Sequence, residues 1–176
     1  MTPACIQLTR QRTVIHITTD ASGIGLGASW GDRWSVWDIP FEWSFAFNAR
    51  QSSASLEARA ILSAVLTWQH LWPPGSIICI KNDNAAAVQA FTARHSPVPD
   101  ISDAIRIAFQ IAINLHLAEL LVSWIPGETN LRADALSRKL MPVFRALTPQ
   151  ADILASHPRK PRGTSWLRWT AWRIIS

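Results

Sequence analysis

The run Ile77-Ile78-Cys79-Ile80-Lys81-Asn82-Asp83-Asn84 constrains the fold more than any other stretch of the chain. Four consecutive apolar residues bounded by turn residues read as a strand covered on both faces. The strand stops on Asp83-Asn84, and Ala85-Ala86-Ala87-Val88-Gln89-Ala90 continues as a helix. A buried strand that turns at once into a helix begins a strand–helix crossover, and crossovers of that kind join parallel strands. Asp83 then sits at the carboxyl end of its strand. Asp83 or Asn84 can cap the helix that follows.

The rest of the chain supplies partners for that strand. Residues 13–20 are β-branched and end on Asp20, which predicts the first strand. Residues 24–30 and 33–39 predict two more, joined by tight turns into an antiparallel meander. In the third strand, Trp34 and Val36 share one face, and Ser35 and Trp37 the other. Gly23-Ile24-Gly25-Leu26-Gly27 has the look of a dinucleotide loop, but a strand follows it, so no helix terminus faces a phosphate. Its glycines instead permit close backbone approach. After an aromatic connector at 40–53, apolar spacing predicts a helix over 55–71, ended by Trp72-Pro73-Pro74-Gly75. A further helix starts at Asp100 or Ser102, with Ile105, Phe109, Ala112 and Ile113 inward. A fifth strand covers 117–125. A last helix covers 131–140, with Asn130 as its cap. The expected fold is α/β: a mixed five-stranded sheet, a three-strand antiparallel meander plus two parallel strands, flanked by helices. A lead-in at 1–12 precedes a domain at 13–140, and a basic tail occupies 141–176.

Charge separates domain from tail. The net charge of the 176 residues is +5, yet residues 1–137 hold nine Lys or Arg against eleven Asp or Glu. Residues 138–176 hold eight basic residues and one acid, Asp152. Interleaved with Trp166, Trp169 and Trp172, such a segment suits a phosphate backbone and stacked bases, or serves as a solvated linker or docking helix. The most apolar window, 107–126, is interrupted by Gln110, Asn114, His116 and Glu119, so it reads as helix then strand, and no membrane partner is expected. Residues 1–12 have no apolar core, so no signal peptide is expected there. With Cys5 and Cys79 the only cysteines, and Cys79 in a core strand, an intracellular, reducing location is expected. No Cys/His spacing suits zinc.

Four acids stand at comparable positions. Asp20 and Asp83 end strands one and four, and adjacent parallel strands deliver both to the ligand-binding edge of such a sheet. Glu57 and Asp134 lie on helices that pack against it. Carboxylates gathered this closely either protonate or hold cations, and hard oxygen ligands select Mg²⁺ or Mn²⁺. Two such ions about 4 Å apart activate a water and stabilise the leaving oxygen of a phosphodiester. Ser22 and Asn84 flank the acids and can hydrogen-bond a 2′-hydroxyl or phosphate. Asn130 and Arg138 are further candidate substrate contacts.

Thr19-Asp20-Ala21-Ser22, Leu56-Glu57-Ala58, Asn82-Asp83-Asn84 and the run Pro126-Gly127-Glu128-Thr129-Asn130-Leu131-Arg132-Ala133-Asp134-Ala135-Leu136-Ser137-Arg138 together resemble the ribonuclease H domain of reverse transcriptases. The resemblance is strongest to DIRS-type retrotransposons, with pararetroviruses next, and spans residues 14–138. It implies a ribonuclease H-like fold with strands one and four adjacent. It implies Asp20, Glu57, Asp83 and Asp134 as ligands of two Mg²⁺ or Mn²⁺ ions, and hydrolysis of the RNA strand of RNA–DNA hybrids. It also implies a polymerase domain, in cis or in trans, that holds the hybrid.

Two features depart from what the cellular and bacterial ribonucleases H carry. The loop 126–130 has no His, which leaves Glu128 or water to move protons there. The break at 91–103 offers only Arg94 and His95 in place of a basic handle. An integrase-type nuclease of the same superfamily would pair Asp83 with Glu119, 36 positions on, but leaves Glu57 and Asp134 idle. A related exonuclease would need an acid where Ser22 stands. The alternative of another class is a catalytically silent RNA- or hybrid-binding module, which would bind hybrid without metal and never cut it.

Overall fold

The computed structural model describes residues 12–39 and 52–157. The lead-in up to residue 11, the aromatic connector and the Trp-bearing end of the tail lie outside the described residues. Five strands form one sheet: β1 (Val14–Ala21), β2 (Gly25–Trp30), β3 (Arg33–Asp38), β4 (Ile77–Asn82) and β5 (Glu119–Trp124). Their order is β3-β2-β1-β4-β5. The first three pair antiparallel, and β4 pairs parallel with both β1 and β5. This is the expected mixed sheet, with the first and fourth strands adjacent.

Helices α1 (Ser53–Trp68) and α3 (Pro99–Asn114) cover one face. Alternation in β1 and β4 explains this face: Ile15 and Ile17, then Ile78 and Ile80, point into a core with Leu56, Ile61, Val65 and Trp68 of α1. His16, on the other face of β1, is exposed. α3 carries Ile105 and Ala112 inward as expected. Ile113 is the exception, at 66% exposed, because it follows the last inward turn of the helix.

The second face is covered differently. α4 (Leu131–Ser137) lies across β1, β2 and β3. The sequence predicts β4 buried on both faces, but Ile77, Cys79 and Lys81 are only half-buried, since α4 stops short of β4. Trp34 and Val36 do share a face, packing with Ala135, Leu136 and Phe144, while Trp37 joins the α1 side.

The packed structure also continues past residue 140. Helix α5 (Met141–Leu147) sets Phe144 against Trp34, with ring centroids 5.4 Å apart. Beyond it, Asp152 and Ser156 donate backbone N–H groups to Asp32 and Trp34. Arg145 ties the segment down through the carbonyls of Ala151, Asp152 and Ile153, each at 2.9 Å. Composition concealed this, because one large apolar residue and one Arg hold it rather than a repeating stripe. The window 107–126 is helix and then strand, and no helix among the described residues is long and apolar enough to cross a membrane.

Candidate active site

The site forms where β1 and β4 end. They run parallel, with Thr18 opposite Lys81, so Asp20 and Asp83 leave the sheet at the same edge. The last turn of β4 is held from three sides. Asn84 donates its backbone N–H to the Asn82 side chain at 2.9 Å, Ile125 donates to the Asn82 carbonyl at 3.1 Å, and the Trp124 indole N–H donates to the Asp83 carbonyl at 2.9 Å.

Helix α2 (Ala85–Ala93) is capped by Asn84, whose side-chain oxygen accepts from Ala87 N at 3.0 Å. That leaves the carboxylate of Asp83 free of capping duty. Asn84 also donates to Ser53 at 3.2 Å, joining the starts of α2 and α1. Ser52 caps α1, and Glu57 follows one turn later, 5% exposed and pointing at the strand ends.

α4 reaches the site because β2 has no side chains in its path. A Cβ on Gly27 would stand 2.5 Å from Ser137 N and 2.6 Å from Ala133 O, and one on Gly25 would stand 2.6 Å from Ser137 O. The glycines that permit close backbone approach therefore admit a helix, and Gly27 is the register partner of Asp20. Ser137 donates a short hydrogen bond to the Asp20 carboxylate.

One carboxylate oxygen each from Asp20, Glu57 and Asp83 lie within 4.8 Å of one another. Asp134 stands beside this triad rather than in it. Its carboxylate is engaged by Arg138 Nε at 2.6 Å, while its charge still acts on Asp20. Burial pushes the Asp20 carboxyl up to about 6, with Asp83 and Asp134 adding to the rise and Ser137 opposing it. Burial pushes Glu57 up to about 8, against the Asn82 hydrogen bond and with help from Asp20 and Asp83. Like charges kept from water are thus held at the cost of proton uptake. A divalent cation reverses that preference, and three hard oxygens at this spacing suit Mg²⁺ or Mn²⁺.

The expected substrate contacts fare differently. Ser22 donates to the Ser137 carbonyl at 2.7 Å and accepts from Ile24 and Gly25, so its hydroxyl closes the β1–β2 turn. Asn130 precedes α4 but makes no side-chain cap. It is 1% exposed, and its amide donates to the Thr19 carbonyl at 2.9 Å, which braces the residue before Asp20 from inside. Arg138 is exposed at the rim. Glu119 is the first residue of β5, opposite Ile77, at the far end of the strands from Asp83, so the integrase-type pairing is not made.

Two residues that position the acids escaped the sequence reading. Asn82 is fully buried and donates to Glu57 at 2.7 Å, to Thr19 Oγ1 at 3.1 Å and to the Thr19 carbonyl at 3.2 Å. Ser137 holds Asp20. The inward phase of Ile78 and Ile80 also places Asn82 inward, a signal available in the sequence.

No protein-family model matches the chain, and no curated protein matches it. Solved structures do. The ribonuclease H1 of the halophilic archaeon Halobacterium salinarum NRC-1 is 18% identical with a TM-score of 0.56, over 73% of this chain and 98% of that one. LC11-RNase H1, in complex with an RNA/DNA hybrid, is 19% identical with a TM-score of 0.58, over 71% and 94%. A second structure of LC11-RNase H1, an enzyme isolated from compost by a metagenomic approach, gives 18% and 0.53, over 77% and 98%. The chain has the ribonuclease H-like fold.

Proposed function

We propose that this chain is a metal-dependent endoribonuclease that hydrolyses the RNA strand of RNA–DNA hybrids, as the ribonuclease H part of a reverse-transcribing element. The observation that carries the reading is the meeting of Asp20, Glu57 and Asp83 at the ends of β1, α1 and β4. The fold is shared with an RNase H1 solved on an RNA/DNA hybrid, which supports the substrate class. The run from Pro126 to Arg138 supports the retroelement context, in which a polymerase domain would hold the hybrid inside the cell.

Asp20, Glu57 and Asp83 would hold two Mg²⁺ or Mn²⁺ ions, with Asp134 as the fourth acid at the rim. Bound there, the ions would supply positive charge to an attacking water and to the departing ribose oxygen. The chain's own residues do the rest. Ser137 and Asn82 aim the two buried carboxylates. Arg138 holds the Asp134 carboxylate in place along α4 through its Nε at 2.6 Å. The loop Gly127–Thr129 passes over Asp83, since a Cβ on Gly127 would lie 3.1 Å from its carboxylate. Proton movement on that side would fall to Glu128, exposed on that loop, or to water. The products would be a 3′-hydroxyl and a 5′-phosphate. Recognition would rest on sugar and backbone shape, with little base preference.

A labelled hybrid incubated with the full chain in Mg²⁺, Mn²⁺ or EDTA tests this. Cleavage of the RNA strand alone, abolished by EDTA and by Asp83→Asn, is expected. Hybrid binding that ignores chelator, with no cleavage under any condition, would identify a silent binding module instead.

A further inference from the structure

We propose that Trp124 is the stacking platform for a nucleotide of the hybrid beside the acid cluster, an inference that rests on the function proposed above. Trp124 ends β5 and is the register partner of Asn82, the residue that aims Glu57. Leu120 and Val122, on the same face of β5, pack into the core. One step further, at the end of the strand, Trp124 is 53% exposed. A single exposed apolar residue is ordinary on a protein surface. This one is set apart by its attachment. Its only polar atom, the indole N–H, donates to the main-chain carbonyl of Asp83, itself a proposed metal ligand.

That bond has two consequences. It fixes the orientation of the ring relative to the acids, so little side-chain entropy is left to lose on binding. It also satisfies the one group that would draw the indole toward water, and leaves an apolar face exposed at the strand end. The cluster is acidic, and the Arg138 guanidinium at its rim is engaged by Asp134. Stacking on a base or sugar face is a neutral contact. It tolerates any sequence, as an enzyme that reads backbone shape requires.

The test uses the full chain and an RNA–DNA hybrid, measuring the dissociation constant in Ca²⁺ and KM and kcat in Mg²⁺. Trp124→Ala is expected to raise Kd and KM about tenfold, with the loss falling on KM rather than kcat. Trp124→Phe, which keeps a ring and gives up the N–H, is expected to lose about threefold. A 2-aminopurine placed opposite the cleavage position is expected to be quenched by wild type and not by Trp124→Leu, a readout independent of turnover. Equal Kd for wild type and Trp124→Ala overturns the inference. So does a Trp124→Phe loss as large as that of alanine, because the bond to Asp83 would then matter and the ring face would not. If wild type cuts hybrid while Trp124→Ala is unchanged, only the stacking role fails. If wild type neither binds nor cuts hybrid, the proposed function fails with it.

Discussion

Asp20 and Glu57 form an inner wall of the site, and each is held by a neutral donor, Ser137 and Asn82. Asp134 forms an outer rim on α4 and is held by a guanidinium. The two arrangements have opposite electrostatic consequences. A hydroxyl or amide orients a carboxylate and only partly offsets its burial, so burial still drives the inner acids toward protonation. Arg138 neutralises Asp134 in place, and an exposed pair of this kind contributes little to folding. The inner wall is therefore built to be completed by a cation, whereas the rim is already balanced.

The largest effect expected from this contrast is on catalysis. Asp20→Asn, Glu57→Gln and Asp83→Asn should each cut hybrid cleavage by about a thousandfold, as befits loss of charge at the reacting centre. Asp134→Asn should cost less, about tenfold to a hundredfold. Equal losses at all four positions would erase the distinction between wall and rim.

Next in size is the support beneath the wall. Asn82→Ala removes the donor to Glu57 and leaves Thr19 short of a partner. It should destabilise the fold by about 1–3 kcal/mol and weaken metal binding, read by denaturant unfolding and by metal titration. A variant as stable as wild type would show that Asn82 aims nothing.

A smaller effect is the pH dependence of the metal-free protein. Both inner carboxyls titrate higher in the folded chain than in the unfolded one, at about 6 and about 8 against 3.8 and 4.5. Their contribution to stability is then fully present below about pH 4. It is lost as pH rises through about 6 for Asp20 and about 8 for Glu57. The metal-free melting temperature should fall from pH 5 to pH 9, and Mg²⁺ should flatten that slope. A melting temperature that rises with pH over this range contradicts the burial of the two acids. The smallest effect is at the rim, where Arg138→Ala should change stability by less than about 0.5 kcal/mol.

The sequence made the wall legible where local rules governed it. An apolar run ending in Asp83-Asn84 announces a strand end and a helix start, and the parallel pairing of β1 with β4 follows from the crossover between them. Which of the two residues caps the helix was not legible, since both side chains can do so; Asn84 takes the cap and also donates to Ser53. Ser137 and Asn130 were obscured for another reason. Their partners, Asp20 and Thr19, are more than a hundred residues away and are set by how closely α4 lies on Gly25 and Gly27. The pairing of Trp34 with Phe144 is hidden in the same way, because nothing near residue 144 repeats. Local chemistry marks where an acid leaves a strand, and only tertiary packing decides what steadies it.

Calorimetric titration of Mn²⁺ into the full chain near pH 8 tests the central claim most directly. Wild type should bind saturably, Glu57→Gln should lose most of that binding, and Asp134→Asn should keep most of it. Absence of saturable binding by wild type, or a greater loss in Asp134→Asn than in Glu57→Gln, would contradict the account.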